Sequence, residues 1–250
     1  GRYAYLSASM EGYSDRIVVI LDLKNPTQPE EVGRWWAPGQ WIAGGEIYER
    51  REGFPLPRCH HPLRMGNRLY TSYWQAGFYI IDIEDMGNPK TVASVDYHPP
   101  FPCPTHTCLP IPFEIEGRRY MLVADEDVAR TDPNGPAAFI WIYDITDETH
   151  PWPISTYQVE EVIGKKTPER TGCHQPTEVV TSTQIPVAWF NQGLRLIDIA
   201  NPHAPKEIAH FCPPPVNGRK QIASNDVDVD DRGLVYVLDR FGGMHIVERT

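Results

Sequence analysis

Short apolar runs recur along the chain, separated by turn-forming segments. One kind of run is predominantly apolar and rich in β-branched residues, which is typical of buried strands. It occupies residues 17–21, 78–81, 139–143, 194–197 and 244–247. A second kind, in which aromatic and apolar residues alternate, precedes each of these at residues 2–6, 68–72, 119–123, 186–190 and 234–238. The pattern therefore predicts five pairs of neighbouring strands.

A repeated segment follows four of the predominantly apolar runs. An aspartate is followed by Leu or Ile, by Pro seven positions later and by Val or Ile ten positions later. The aspartates are Asp22, Asp82, Asp144 and Asp198, the prolines Pro29, Pro89, Pro151 and Pro205, and the last positions Val32, Val92, Ile154 and Ile208. Proline suits a turn because its φ is restricted and it has no N–H to satisfy. Successive aspartates are about 60 residues apart. A propeller blade of four strands has a period of about 40–50 residues, which long loops extend, so the spacing predicts a β-propeller of four-stranded blades.

The strands of a blade are named inner, second, third and outer, in chain order. We expect five second, five third, four outer and four inner strands, so one inner and one outer strand are missing. A preceding segment of roughly 15–25 residues would supply both and close five blades, whereas six or seven blades need a longer segment. The chain begins at Gly1 without a methionine. We therefore expect residues 1–250 to form a single, N-terminally incomplete all-β propeller domain.

Three of these segments carry a family resemblance. Residues 79–83, 194–199 and 236–239 resemble the LVIVD-repeat β-propeller proteins. The resemblance covers nearly the whole chain and implies the propeller fold, but it implies no particular function, because one fold hosts many functions. A shorter likeness, of Pro104-Thr105-His106-Thr107-Cys108 to selenium-binding-protein-type propellers, implies histidines in a central site.

A histidine recurs at the start of three predicted inner strands, as His60, His106 and His174, while Asn225 occupies the fourth. Inner strands surround the channel of a propeller. Neutral imidazoles on rigid elements are good ligands for transition metals. We expect these histidines to bind a divalent transition metal ion, with zinc, manganese and iron left open. The alternative is that polar residues at these positions cap strands or bind channel water.

The loops between second and third strands open on the same face of a blade as these histidines. The polar residues of these loops, and residues next to the histidines, are candidates for proton transfer and substrate binding. The alternative is that the loop residues are simply solvated. The proton-transfer candidates are Glu126, His61 and Glu11. The substrate-binding candidates are Arg64, Trp74, Gln75, Arg130, Gln192, Arg240 and Phe241, of which the arginines suit a carboxylate. Four cysteines flank the histidines, as further ligands or as buried core residues: Cys59, Cys103, Cys108 and Cys173.

Composition excludes several classes of function. The net charge is −10 and no Lys/Arg-rich run is present, which argues against a nucleic-acid partner. No apolar stretch approaches the roughly 18 residues of a membrane span. The 25 prolines are about twice the ordinary 5% and disfavour long helices. Five cysteines, an odd number, do not form a disulfide framework, so we expect a reduced, cytoplasmic compartment.

These observations favour a metal-dependent enzyme of hydrolase or lyase type that acts on a small organic substrate, anionic if the arginines bind it. Two alternatives stay open: a non-enzymatic protein-interaction scaffold, and a copper- or iron-dependent oxidase on the selenium-binding-protein likeness. No phosphate-binding loop, nucleophile elbow or HExxH motif is present. The segment from residue 38 to 57 exceeds the usual length of a structureless loop, which predicts a lid or a homo-oligomer contact.

Overall fold

The computed structural model describes residues 1–49, 52–127, 135–163, 165 and 170–248. Within these ranges the chain forms eighteen β-strands in five sheets, and its helical elements are two short 3-10 helices, Ile42–Gly44 and Glu160–Val162. Neither of these helices has the length and apolarity that crossing a lipid bilayer requires. The predicted all-β fold of propeller blades is confirmed. The number of blades in a complete ring stays a prediction.

The chain divides into two compact units, and the first comprises residues 1–100, 104–108 and 148–150. Its first sheet has the order β1-β2-β3, with β1 (Tyr3–Ala8), β2 (Ile17–Asp22) and β3 (Glu30–Trp35). Its second sheet has the order β4-β5-β6-β7, with β4 (His61–Met65), β5 (Arg68–Ser72), β6 (Phe78–Asp82) and β7 (Lys90–Val95). Consecutive strands pair antiparallel, so each sheet is a meander, as expected of a blade.

The second unit comprises residues 101–103, 109–147 and 151–250, and the division from the first falls within β8 (Thr105–Pro110). The third sheet has the order β8-β9-β10-β11, with β9 (Tyr120–Asp125), β10 (Ile140–Asp144) and β11 (Trp152–Tyr157). The fourth sheet contains, in order, β12 (Gln175–Pro176), β13 (Gln184–Ala188), β14 (Leu194–Asp198) and β15 (Lys206–Phe211). The fifth contains β16 (Ser224–Val229), β17 (Val235–Asp239) and β18 (Gly243–Val247). The described strands thus reproduce the predicted set of inner, second, third and outer strands.

Third strands that lie between two neighbours are largely buried. In β2, Ile17, Val18 and Ile20 have no exposed surface, and β10 is buried along its whole length. The outer strand β15 instead alternates between exposed and half-buried residues. Each fully buried aliphatic side chain contributes about 1.5–3 kcal/mol relative to an exposed one. The predominantly apolar runs in the sequence therefore mark the strands that supply much of each blade's core.

The repeated aspartate forms a turn at the end of the third strand. In each of the four blades its Oδ1 accepts a hydrogen bond from the backbone N–H two residues later, at 2.8–2.9 Å. Such an Asx turn satisfies an N–H as the chain leaves the sheet. In three blades an arginine at or just before the second strand pairs with the same carboxylate, namely Arg2, Arg68 and Arg118. The aspartate therefore ends one strand and directs the chain towards the next.

The Val or Ile ten positions after each aspartate is a β-bulge residue in the outer strand. Ile80 pairs with Ala93 and Ile81 with Thr91, so that Val92 is passed over in the register. The same shift occurs at the other three positions, Val32, Ile154 and Ile208. A bulge bends a strand and increases its twist. The recurrence of Val or Ile at this position therefore corresponds to a bend in each of the four described outer strands.

Candidate functional site

Two of the predicted metal-binding histidines lie together in the first unit. His60 directly precedes β4, and its backbone N–H donates to the carbonyl of Ser72 in β5 at 2.9 Å. His106 lies in β8, and its carbonyl accepts a hydrogen bond from the hydroxyl of the same Ser72. The two imidazole centroids are 4.2 Å apart, and each ring offers a nitrogen within 4.8 Å of the other's. The strand starts thus bring two nitrogen donors into one place.

The hydrogen bond of His60 determines which of its ring nitrogens carries a proton. Its Nδ1 lies 3.1 Å from the carbonyl oxygen of His106. Because a carbonyl only accepts, Nδ1 is the protonated nitrogen and Nε2 has the lone pair in the neutral ring. Burial, with smaller contributions from neighbouring positive charges, lowers the pKa of His60 to about 4. The imidazole is therefore neutral at pH 7, which is the form that binds metals.

The third predicted ligand lies in the second unit, beside a carboxylate. His174 precedes β12, and its Nδ1 lies 2.5 Å from the backbone carbonyl of Asn225, so the nitrogen with the lone pair is again Nε2. That Nε2 is 3.6 Å from a carboxylate oxygen of Glu126, and both residues are buried. Asn225, at the histidine position of the next blade, thus contributes its backbone rather than a ligand side chain. Metal-binding histidines usually donate the N–H of the other ring nitrogen to a carbonyl or carboxylate, which fixes the orientation of the ring.

A strained turn follows the second strand in two blades. Residues 73–77 and 189–193 form it with the same three backbone hydrogen bonds. Each turn ends in a glycine with positive φ, Gly77 or Gly193. The second residue of each turn is a bulky aromatic that also has a positive φ, 45° at Trp74 and 33° at Phe190. This conformation costs a bulky residue about 1–3 kcal/mol, and such strain clusters at functional sites.

These two strained aromatic residues pack against the predicted ligands. The ring centroid of Trp74 is 5.7 Å from that of His60, and the ring centroid of Phe190 is 4.4 Å from that of His174. The backbone carbonyl of each aromatic residue accepts an N–H from the first residue of the next inner strand, at 3.1 and 3.0 Å. The sequence pattern assigned Trp74 to substrate binding and missed Phe190. The glycine three positions after the aromatic residue, which is present in both turns, could have identified Phe190 as the equivalent of Trp74.

The proton-transfer candidates have different surroundings. His61 is the first residue of β4, and its Nδ1 lies 3.5 Å from the hydroxyl of Thr107, which also contacts Nδ1 of His106 at 2.7 Å. Glu126 is buried beside His174, as described above. Glu11 is exposed in the loop between β1 and β2. His61 and Glu126 are therefore close to predicted ligands, and all three roles stay predictions.

The substrate-binding candidates of the first unit separate into two places. Trp74 and Gln75 lie in the strained turn, and the buried indole N–H of Trp74 has no acceptor among the described residues. The guanidinium carbon of Arg58, which was not predicted, lies 3.5 Å from the centroid of the Trp74 ring. Arg64 instead lies towards the hairpin end of β4, where its Nε donates to the carbonyl of Gly66 at 2.8 Å. The structure therefore does not place Arg64 beside His60.

The candidates of the second unit lie in loops, with one outside the described residues. The side-chain oxygen of Gln192 accepts a hydrogen bond from the backbone N–H of Gly172 at 3.2 Å. Arg240 donates from Nε to the side-chain oxygen of Asn225. The ring of Phe241 stacks against a guanidinium that the sequence pattern did not single out. Arg130 lies outside the described residues. When the turns at residues 73–77 and 189–193 are superimposed by their hydrogen bonds, Gln75 corresponds to Asn191. Gln192 therefore lies one position after the equivalent of Gln75.

The cysteines near the histidines are buried thiols, and none of the five in the chain, all of which are described, forms a disulfide. Burial raises the pKa of Cys59 to about 12 and that of Cys173 well above its usual value. Cys103 and Cys108 are buried as well. Free cysteine is among the residue types that are most often buried in protein cores. These environments favour the core-residue interpretation of the cysteines.

Comparison with known proteins finds one family and several distant structures. The family model of the LVIVD repeat matches residues 65–97 and 186–211. The search of curated proteins finds no match. Two structures of AztD from Citrobacter koseri, one of them apo, are similar to this chain at 12% identity, with TM-scores of 0.49 and 0.47. The comparison covers 100% of this chain, which spans 57% of those chains. The computationally designed Ika8 protein is 9% identical, with a TM-score of 0.39 over 97% of this chain and 70% of its own.

Proposed function

We propose that this LVIVD-repeat protein binds a divalent transition metal ion through histidine imidazoles at the starts of its inner strands. The observation that carries the proposal is the pair of adjacent imidazoles of His60 and His106 in the first unit. The donors fit such an ion because His60 is neutral and its Nδ1 is engaged by a carbonyl. His174 has the same Nδ1 arrangement at the equivalent position of the second unit.

We propose further that the protein is an enzyme of hydrolase or lyase type for a small organic substrate. A bound zinc-like ion polarises a carbonyl or lowers the pKa of a water. The chain supplies two groups for moving protons, Glu126 beside His174 and His61 beside Thr107. The unaccepted indole N–H of Trp74, buried next to His60, is a donor for a polar atom of the substrate.

The metal part is tested by elemental analysis of protein purified without chelator. We expect a stoichiometric amount of one transition metal, and at least tenfold weaker affinity for it in His60→Ala and in His106→Ala. The matched control is His203→Ala, because that histidine is exposed in a turn away from any inner strand. Wild-type protein that neither retains nor takes up a transition metal would overturn the proposal and favour the scaffold alternative. Charge-transfer bands of copper or iron in the absorption spectrum would favour the oxidase.

The catalytic part is tested separately, with a panel of small carboxylic and phosphoric esters and hydroxy acids. We expect turnover by the metal-loaded protein, and loss of turnover without loss of metal affinity in Glu126→Gln, which preserves the size of the side chain. Turnover that is unchanged in both Glu126→Gln and His61→Gln would contradict the roles given to these residues.

A further inference from the structure

A cavity in the second unit has a distinctive charge. Its volume is about 390 Å³, and it lies where the turn after β13 approaches the segment that leads into β16. Its walls include Arg170, Asn191, Arg219, Lys220, Ile222 and Phe241. Three of these residues are cationic, and none of the described residues lining the cavity is acidic. In a chain with a net charge of −10, such a concentration of positive charge is a local feature.

Among the described residues, the carboxylate of Asp239 is close to this cavity in sequence and is engaged in other hydrogen bonds. Asp239 immediately precedes Arg240 and Phe241, and its two oxygens accept hydrogen bonds from the backbone N–H groups of Ala223, Phe241 and Gly242. Arg240 donates to the side chain of Asn225. Asp239 therefore stabilises the backbone that forms the wall of the cavity rather than neutralising its cations.

Two of the cations are arranged to receive a ligand. The guanidinium carbon of Arg219 lies 3.7 Å from the centroid of the Phe241 ring, which orients the plane of its N–H donors. The Nε of Arg170 is buried, and no described residue accepts its hydrogen. A buried donor without an acceptor costs about 1–3 kcal/mol. An acceptor from a bound molecule would recover that cost.

We propose that this cavity binds a small organic anion by its carboxylate or phosphate group. The anionic group contacts Arg170, Arg219 and Lys220, since planar guanidinium groups match the oxygens of both kinds of anion. The apolar part of the ligand lies against Ile222 and Phe241. The assignment of this anion as the substrate rests on the proposed function, whereas the binding site itself does not. Phe241 was a candidate from the sequence, and the three cations are additions from the structure.

The probes are phenyl phosphate and benzoate, with neutral benzamide as the matched control, in isothermal titration calorimetry on the whole chain. We expect at least one of the anions to bind, benzamide to give no heat, and affinity to fall with added salt because the contacts are charged. Arg219→Gln and Arg170→Gln should each weaken binding about tenfold or more. The control variant is Arg232→Gln, whose exposed guanidinium pairs with Asp230 in a different turn. The stronger of the two anions identifies which group the cavity prefers.

Failure of this inference can be separated from failure of the metal proposal. Anion binding should persist after chelator treatment and in His60→Ala. An affinity that requires the metal, or that is unchanged in both cavity variants, would show that the anion binds elsewhere and would overturn the inference. Absence of binding by both anions would overturn it as well. Metal content measured on the same preparations reports independently on the histidines.

Discussion

A buried arginine shows how a single side chain departs from its strand pattern. Arg195 lies within an apolar third-strand run, and its side chain is 2% exposed. Its guanidinium donates to Glu161 at 3.0 Å and to Glu207 at 3.1 Å, and its Nε donates to the carbonyl of Gln192 at 2.8 Å. The hydroxyl of Tyr157 donates to Glu207 at 2.9 Å. The charge is buried because partners from three other segments surround it.

We predict that Arg195→Ala lowers the free energy of unfolding by about 3 kcal/mol. It removes a buried guanidinium together with its packing, and it leaves the carboxylate of Glu207, which is 21% exposed, without its cation. The measurement is urea denaturation followed by tryptophan fluorescence. Arg2→Ala is the control, because the guanidinium of Arg2 is 58% exposed in its pair with Asp22, and exposed pairs contribute little. Equal effects of the two substitutions would contradict the role given to burial.

At the scale of the strand and turn, the repeated aspartate is the residue with the clearest consequence. Asp144 ends β10, accepts the backbone N–H of Thr146 at 2.9 Å and pairs with Arg118. Burial alone would raise the pKa of Asp144, but hydrogen bonds from Arg118 and Thr146 outweigh that effect and lower it. The folded state therefore favours the ionised carboxylate.

We predict that Asp144→Ala destabilises the protein by about 1 kcal/mol at pH 7, since the turn loses a hydrogen bond and Arg118 its partner. Asp144→Asn keeps the Oδ1 acceptor and should lose less. The lowered pKa gives wild-type stability that is complete above the usual pKa of 3.8 and is lost as the pH falls below it. Denaturation series between pH 5 and 3 should therefore converge for wild type and Asp144→Asn. A difference in the free energy of unfolding between the two proteins that stays constant over this pH range would contradict the role given to the ionised carboxylate.

For the molecule as a whole, the segment from residue 38 to 57 is the feature that the repeat does not explain. The carboxylate of Glu46 accepts hydrogen bonds from the backbone of Gly39 and Trp41 and from the indole of Trp36. Within the described part of this segment, Ile42 and Ile47 are 55% and 87% exposed. The segment is thus organised by one carboxylate while it presents apolar side chains to solvent. Such exposure suits the predicted contact with a second copy of the chain.

We predict that the wild-type protein self-associates and that the double variant Ile42→Asp with Ile47→Asp sediments as a monomer. Charge makes a further test possible, because a net charge of −10 opposes association of identical chains and salt screens it. Sedimentation velocity should therefore show stronger association at higher salt. The control is Trp152→Asp, an equally exposed apolar residue on an outer strand, 62% exposed. A wild-type monomer at all protein and salt concentrations would refute the prediction.

Strand identity and order were predictable from the sequence because they depend on local patterns. A predominantly apolar run indicates a strand that is buried on both faces, and an Asp with a Pro seven positions later indicates a turn. The four aspartates therefore locate the blades without any knowledge of distant contacts. The recurrence of histidine at the same place in the repeat predicted His60 and His106 as neighbours by the same logic. Their adjacency follows from the fold, whereas the roles given to both residues stay predictions.

Other features depend on residues that are far apart in the chain, and no local pattern contains them. The bulge at Val92 and its equivalents depends on the register between two strands, and the burial of Arg195 depends on three other segments. Three further features arise in the same way. They are the positive φ of Trp74 and Phe190, the hydrogen bond from His174 to the carbonyl of Asn225, and the cations around Phe241. The repeat in the sequence determined the blades, because each blade is built from consecutive strands. The tertiary structure alone decided which side chains are strained, neutral or charged at the site, because those properties come from neighbours brought together by folding.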